Sequence, residues 1–146
     1  MKELYEALNK VKNEIGTVQK DGKNPFFNSQ YLTLAGLLGA IGTKLSDNGL
    51  ILYQQIITLN EAPHLVTTIK HINSESDYRL ESNSPLIGAT DMQKMASAIT
   101  YARRYSIATM LGIIEADDDG EKSMGRSPDQ QKKDYFKHDT SKGGEI

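Results

Sequence analysis

DMQKMASAITYARRYSIATMLGIIEADDD, residues 91–119, is the longest uninterrupted helical pattern in the chain. Thr90 and Gln93 have the Thr-x-x-Gln spacing of a capping box, in which hydroxyl and amide satisfy orphan N–H groups reciprocally. Asp91 in the first turn suits the positive end of the helix macrodipole. Met92, Met95, Ala96, Ile99, Ala102, Ser106, Ile107 and Met110 then fall on one arc at about 100° per residue. Gly112 is the expected helix end. An acidic run starts just beyond, at Glu115.

Two features of this helix carry chemistry. Arg103 falls within the apolar arc, so its guanidinium must be paired or must reach past the packed layer. The opposite face carries Lys94, Tyr101, Arg104 and Tyr105. Aromatic rings interleaved with cations can stack on bases and neutralise phosphates. The plainer reading is a half-buried helix whose Tyr rings cover a sheet and whose Arg pairs with an acid. Chemistry alone favours the plainer reading.

The residues also resemble a known family. SAITYARRYSIATMLGI followed by EADDDG is similar to the signature of the essential recombination function (ERF) family, phage-borne single-strand annealing proteins. Upstream, Lys23-Asn24-Pro25-Phe26-Phe27 running into Tyr31-Leu32-Thr33-Leu34 resembles the family's N-terminal half. So do Leu45 to Gly49, Leu52 and Gln54, and Thr67-Thr68-Ile69 with His71. The resemblance spans roughly Lys20 to Gly120. It departs from the family pattern after Gln93, where Lys94-Met95 stands in place of a small residue.

Composition bounds the rest. A chain of 146 residues suits one domain with tails to spare. Lys and Arg number 17 against 19 Asp and Glu, a net charge of −2, which argues mildly against a monomeric duplex-DNA reader. A local basic groove remains compatible with that balance. Cysteine is absent, which removes a disulfide scaffold, a Cys-ligated zinc site and a Cys nucleophile. That usage fits a reducing cytoplasm, and the resemblance implies the cytoplasm of a bacterial host. MKELYEALNKVKNEIG has no apolar signal region, and no run is long enough to span a bilayer.

Working outward, Lys2 to Ile15 reads as an amphipathic helix with a Leu4, Leu8, Val11, Ile15 stripe, ended by Gly16. Such a stripe docks on its own domain or on a neighbouring copy. Residues 17–30 read as a loop carrying Lys20, Lys23 and the pair Phe26-Phe27. The two Phe either anchor the loop to the core or form a wedge beside bases. Tyr31 to Asn48 reads as a helix with a Leu34, Leu37, Leu38, Ile41, Leu45 stripe. Gly36, Gly39 and Gly42 are costly inside it, at roughly 1 kcal/mol each relative to Ala. Their spacing leaves room for another backbone, or for tight packing on a sheet. Residues 50–59, 65–72 and 77–82 read as strands joined by turns at 60–63 and 73–76. Residues 83–90 read as a loop. The fold expected is α+β: a three-stranded antiparallel meander with helices on one face and the long helix after the last strand. The resemblance adds the architecture of a wider annealing superfamily. Three regions follow: an N-terminal helix at 1–16, an annealing domain at 17–121, and a polar, disordered tail at 122–146.

The candidate strand-binding residues are Lys20, Lys23, Phe26, Phe27, Tyr31, Lys94, Tyr101, Arg103, Arg104 and Tyr105. Annealing needs no covalent chemistry, no cofactor and no metal. Cations give a sequence-independent, salt-sensitive grip, and aromatic faces add about 1–3 kcal/mol per stacked base. So few contacts imply several subunits on one strand. The resemblance likewise implies rings or filaments, with single-stranded DNA as ligand. A phage exonuclease and a host single-strand-binding protein are candidate partners. Two other classes stand beside this one. A metal-dependent nuclease would use Glu115, Asp117, Asp118, Asp119 and Glu121 on Mg²⁺, although consecutive acids more often form a solvated turn or pair with Arg103 or Arg104. An oligomeric scaffold would bind no nucleic acid. No Gly-rich phosphate loop is present to indicate ATP use.

Overall fold

Alternating side chains in Leu50–Leu59 place Leu50, Leu52, Gln54 and Ile56 on one face and Ile51, Tyr53, Gln55 and Ile57 on the other. In the computed structural model this run is one edge of a three-stranded antiparallel sheet, the expected meander. The structure describes residues 1–73, 78–88 and 91–116, and 1–116 form one unit. The elements are α1 (Lys2–Ile15), β1 (Thr17–Gln19), β2 (Gly22–Asn24), β3 (Ser29–Tyr31), α2 (Leu34–Asp47), β4 (Leu50–Leu59), β5 (Ala62–His71), β6 (Arg79–Pro85), α3 (Met92–Leu111) and β7 (Ile114–Ala116).

The meander runs β4-β5-β6, with Leu52 opposite Ile69, Gln54 opposite Thr67 and Thr67 opposite Ser82. Asn60 and Glu61 both have positive φ, at 48° and 63°. That is the two-residue turn whose twist matches the strands it joins. The turn is therefore shorter than the sequence suggests, and Ala62 and Pro63 already belong to β5. Likewise β6 extends to Pro85, into the segment read as a loop.

The three helices cover the face that bears Leu50, Leu52 and Ile69. Leu4, Leu8, Val11 and Ile15 of α1 enter the core of their own domain, with Leu37, Ile41 and Leu45 of α2 and Ile107 and Leu111 of α3. Each fully buried Leu or Ile contributes about 1.5–3 kcal/mol. Burial along α3 is uneven. Ser106, Ile107 and Leu111 are buried, whereas Met92 is 84% exposed and Ala96 is exposed. The apolar arc is thus core only in its C-terminal half.

The cap of α3 is one residue later than expected. Asp91 is the N-cap, and its carboxylate accepts the Lys94 N–H at 2.8 Å. Asp91 is an equally good cap type; Thr90 lies outside the described residues. Gly112 ends the helix with φ 60° and ψ 46°, a left-handed conformation that costs a residue with Cβ free energy.

Residues 17–30 are more ordered than a loop. β2 and β3 form a hairpin, and β1 pairs in parallel with β7. Strands of three residues leave too short an alternation to read. Tyr31 belongs to β3, and α2 starts at Leu34 behind Thr33, whose hydroxyl accepts the Gly36 N–H at 2.9 Å. The glycines of α2 do not serve close packing as a set. A Cβ at Gly36 would collide with the Asp21 carboxylate, while Gly39 and Gly42 face open space. Among the described residues, no helix is long and apolar enough to cross a membrane.

Candidate nucleic-acid interface

On α3, Tyr101, Arg104 and Tyr105 stand at i, i+3 and i+4, and so share one face. The structure adds Tyr31 from β3 to this group. The Arg104 guanidinium carbon lies 4.6 Å from the Tyr105 ring centre, 5.3 Å from Tyr31 and 5.7 Å from Tyr101. Attraction between a cation and a ring face operates within about 6 Å. The Tyr101 and Tyr105 ring centres are 4.2 Å apart, tilted by 39°. One guanidinium nitrogen, Nη1, donates to the Leu32 carbonyl at 2.8 Å. Arg104 makes no ion pair among the described residues, so its charge is oriented without being neutralised. Tyr31, Tyr101 and Tyr105 are 40%, 59% and 45% exposed as residues, leaving surface open to a ligand. Hydrogen bonding to the Tyr105 phenol, and the charge it carries when ionised, push the Tyr101 phenol above its ordinary value.

Tyr31 reaches Arg104 through the local folding of residues 21–33. The hairpin register sets Gly22 opposite Tyr31. A Cβ at Gly22 would stand 2.7 Å from the Tyr31 ring and 2.9 Å from the Thr33 methyl, so only glycine lets the ring lie across β2. Asp21 then ties the hairpin to α2. Its carboxylate accepts the Thr33 N–H and the Thr33 hydroxyl, both at 2.7 Å. The backbone N–H bond, followed by the hydroxyl bond, holds the Asp21 carboxyl below its usual range. Asp21 was not among the sequence candidates. An Asp-Gly pair in a polar stretch reads as turn chemistry.

The remaining candidates divide. Phe26 and Phe27 sit in the hairpin turn, 89% and 80% exposed, and the Phe26 N–H donates to Asn24 Oδ1 at 3.0 Å. They are displayed outward and do not anchor the turn to the core. Lys23 pairs with Gln30, which places it on the hairpin face opposite Tyr31. Lys20 is half-buried between β1 and the hairpin. Lys94 lies 3.4 Å from Asp91, seven residues before Tyr101, or about 10 Å along the axis.

Arg103 is separate from the tyrosine group. Its Nε donates to Gln54 Oε1 at 3.0 Å. The Gln54 amide donates to Thr67 Oγ1 at 2.8 Å and lies 3.2 Å from Ser106 Oγ. Thr67 and Ser106, both buried, are 2.7 Å apart. This network crosses from α3 to β4 and β5, so Arg103 is paired within its arc by an amide. Among the described residues Arg103 is held by Gln54 and Arg104 by the Leu32 carbonyl; of the acids expected to pair with them, Asp117, Asp118, Asp119 and Glu121 lie outside the described residues. Gln54 carried a readable signal, as a polar residue between Leu52 and Ile56 on the inward face of an Ile/Leu strand.

Of the acids in the nuclease alternative, Glu115 lies in β7 opposite Val18, while Asp117, Asp118, Asp119 and Glu121 lie outside the described residues, as does the 122–146 tail. Among the described residues, no three acidic or histidine side chains gather closely enough to hold a metal ion.

Residues 4–142 match the model of the ERF superfamily, which covers nearly the whole chain. No curated protein and no solved structure matches it. The match includes the hairpin, the sheet and the helix that build the tyrosine group, and it extends the resemblance at both ends. The chain belongs to the ERF superfamily.

Proposed function

We propose that the protein binds complementary single strands of DNA and anneals them without ATP, as a homo-oligomer, in phage homologous recombination. Membership of the ERF superfamily supports a role in phage recombination and strand annealing in general. The observation that carries the finer reading is Arg104, a half-buried, unneutralised guanidinium fixed on Leu32 O among three part-exposed tyrosines. Such a group offers a phosphate contact beside stacking surfaces and needs no base edge. Base edges are then free to sample a partner strand. Phe26 and Phe27, exposed on the hairpin that also carries Tyr31, extend the aromatic surface. Single-stranded DNA and further copies of the chain are the partners of this reading.

The test is annealing of two complementary oligonucleotides, one bearing a quencher, with Mg²⁺ present, ATP absent and salt varied. The expected result is faster annealing that weakens with salt, with both strands intact on a gel. Strand shortening that EDTA stops would replace this reading with the nuclease. Neither binding nor cleavage would leave a scaffold.

A further inference from the structure

A recess of about 520 Å³ opens beside the tyrosine group, between the start of α2 and the first half of α3. Its volume is within the range of about 300–1,000 Å³ typical of small-ligand sites. Tyr31 and Leu34 line it from one side, and Ala96, Thr100, Tyr101 and Arg104 from α3. The recess exists because α3 presents small side chains where its N-terminal half rises off the core. Ala96, Ser97 and Thr100 are all exposed.

From this geometry we infer that the recess holds one nucleobase of the bound strand, so that the strand is gripped by base as well as by phosphate. The inference rests on the strand-binding reading above. Tyr31 and Tyr101 supply aromatic walls, and Leu34 and Ala96 supply apolar surface for a flat ring. Arg104 supplies the adjoining positive charge. Only its Nη1 is engaged by protein among the described residues, leaving other N–H groups for the phosphate of the same nucleotide.

Two hydroxyls of α3 bear on what kind of base fits. The Thr100 hydroxyl donates to the Ala96 carbonyl at 3.0 Å, and the Ser97 hydroxyl donates to the Gln93 carbonyl at 3.1 Å. Their protons are committed, so each presents only acceptor lone pairs to the recess. All four bases carry at least one N–H donor on the pairing edge. The Ser97 and Thr100 hydroxyls therefore favour no single base, as an annealing protein of no fixed sequence requires. A base held there is withdrawn from pairing, which spaces the displayed bases along the strand.

The experiment compares fluorescence anisotropy of the full-length protein with a labelled oligothymidylate and with an abasic oligomer of equal length. The same pair is measured on Ala96→Leu/Thr100→Leu, two exposed helix positions where leucine keeps helical propensity. For the wild-type protein the base-bearing strand is expected to bind about tenfold tighter than the abasic one. In the filled variant that ratio falls several-fold, with an unchanged circular dichroism spectrum. A ratio of one in the wild-type protein, or a full ratio in the filled variant, overturns the recess alone. Failure of the wild-type protein to bind either strand overturns the strand-binding reading, and the recess with it.

Discussion

Gly22 and Asp21 set the position of Tyr31, and each makes a separate prediction. In Gly22→Ala the new methyl meets the Tyr31 ring at 2.7–2.8 Å, and the ring must leave its place over Arg104. Crowding of this kind costs about 1–3 kcal/mol where the neighbour cannot yield. Because Tyr31 is 40% exposed it can swing out, so the expected stability loss is at the lower end, with a several-fold loss of single-strand affinity. Urea unfolding and anisotropy on the same sample would separate the two effects. Asp21 makes a pH prediction. Its folded-state value is depressed by the Thr33 bonds, so its contribution is fully present above the unfolded value of 3.8 and is lost as pH falls through the lower folded value. Asp21→Ala should cost about 1 kcal/mol at pH 7, typical of a lost helix-end bond on an exposed group. The gap between wild type and variant in a urea series should close below pH 4. A gap that persists in acid would mean that the carboxylate is not the cause.

The long helix was the most legible part of the chain, and its limits show why legibility stops. Its C-terminal half is core, and there the 3.6-residue period is enforced by Ile107 and Leu111 against the sheet. Its N-terminal half carries apolar residues that this chain does not bury, so the same period says nothing about packing there. The meander was readable because one Ile/Leu-rich run and two alternating runs are separated by turn residues. β1, β2, β3 and β7 were not, since three residues hold no period, and the pairing of β1 with β7 joins distant segments. Of the site, Tyr101, Arg104 and Tyr105 were visible as one helical face, whereas the arrival of Tyr31 depends on a hairpin register. Arg103 illustrates the reverse, since it stood with Arg104 among the strand-binding candidates but a 100° turn of the helix sends it to Gln54. Gln54→Leu tests that separation. It strips Arg103 of its acceptor and takes a donor from buried Thr67, at a cost of about 1–3 kcal/mol. Single-strand affinity of the folded variant should stay within twofold of wild type. A large loss of affinity at unchanged stability would place Arg103 in the interface.

For the whole molecule, charge and assembly are linked. With a net charge of −2 and few cations near the tyrosine group, one copy cannot hold a strand by general attraction. Useful affinity then requires several copies on one strand. Sedimentation at the concentrations that support annealing should therefore give a mass well above the 16.2 kDa of the monomer. A monomer that anneals fully would contradict this. Each Arg104 that meets a phosphate should also contribute about 0.7 to the slope of log affinity against log salt.

Arg104 is where these lines meet, and the most direct measurement is the salt-dependent affinity of Arg104→Glu for a single strand, beside its circular dichroism spectrum. The account predicts a folded protein whose affinity falls at least tenfold and whose salt slope is shallower than wild type. A folded Arg104→Glu protein that binds and anneals like the wild type would contradict it.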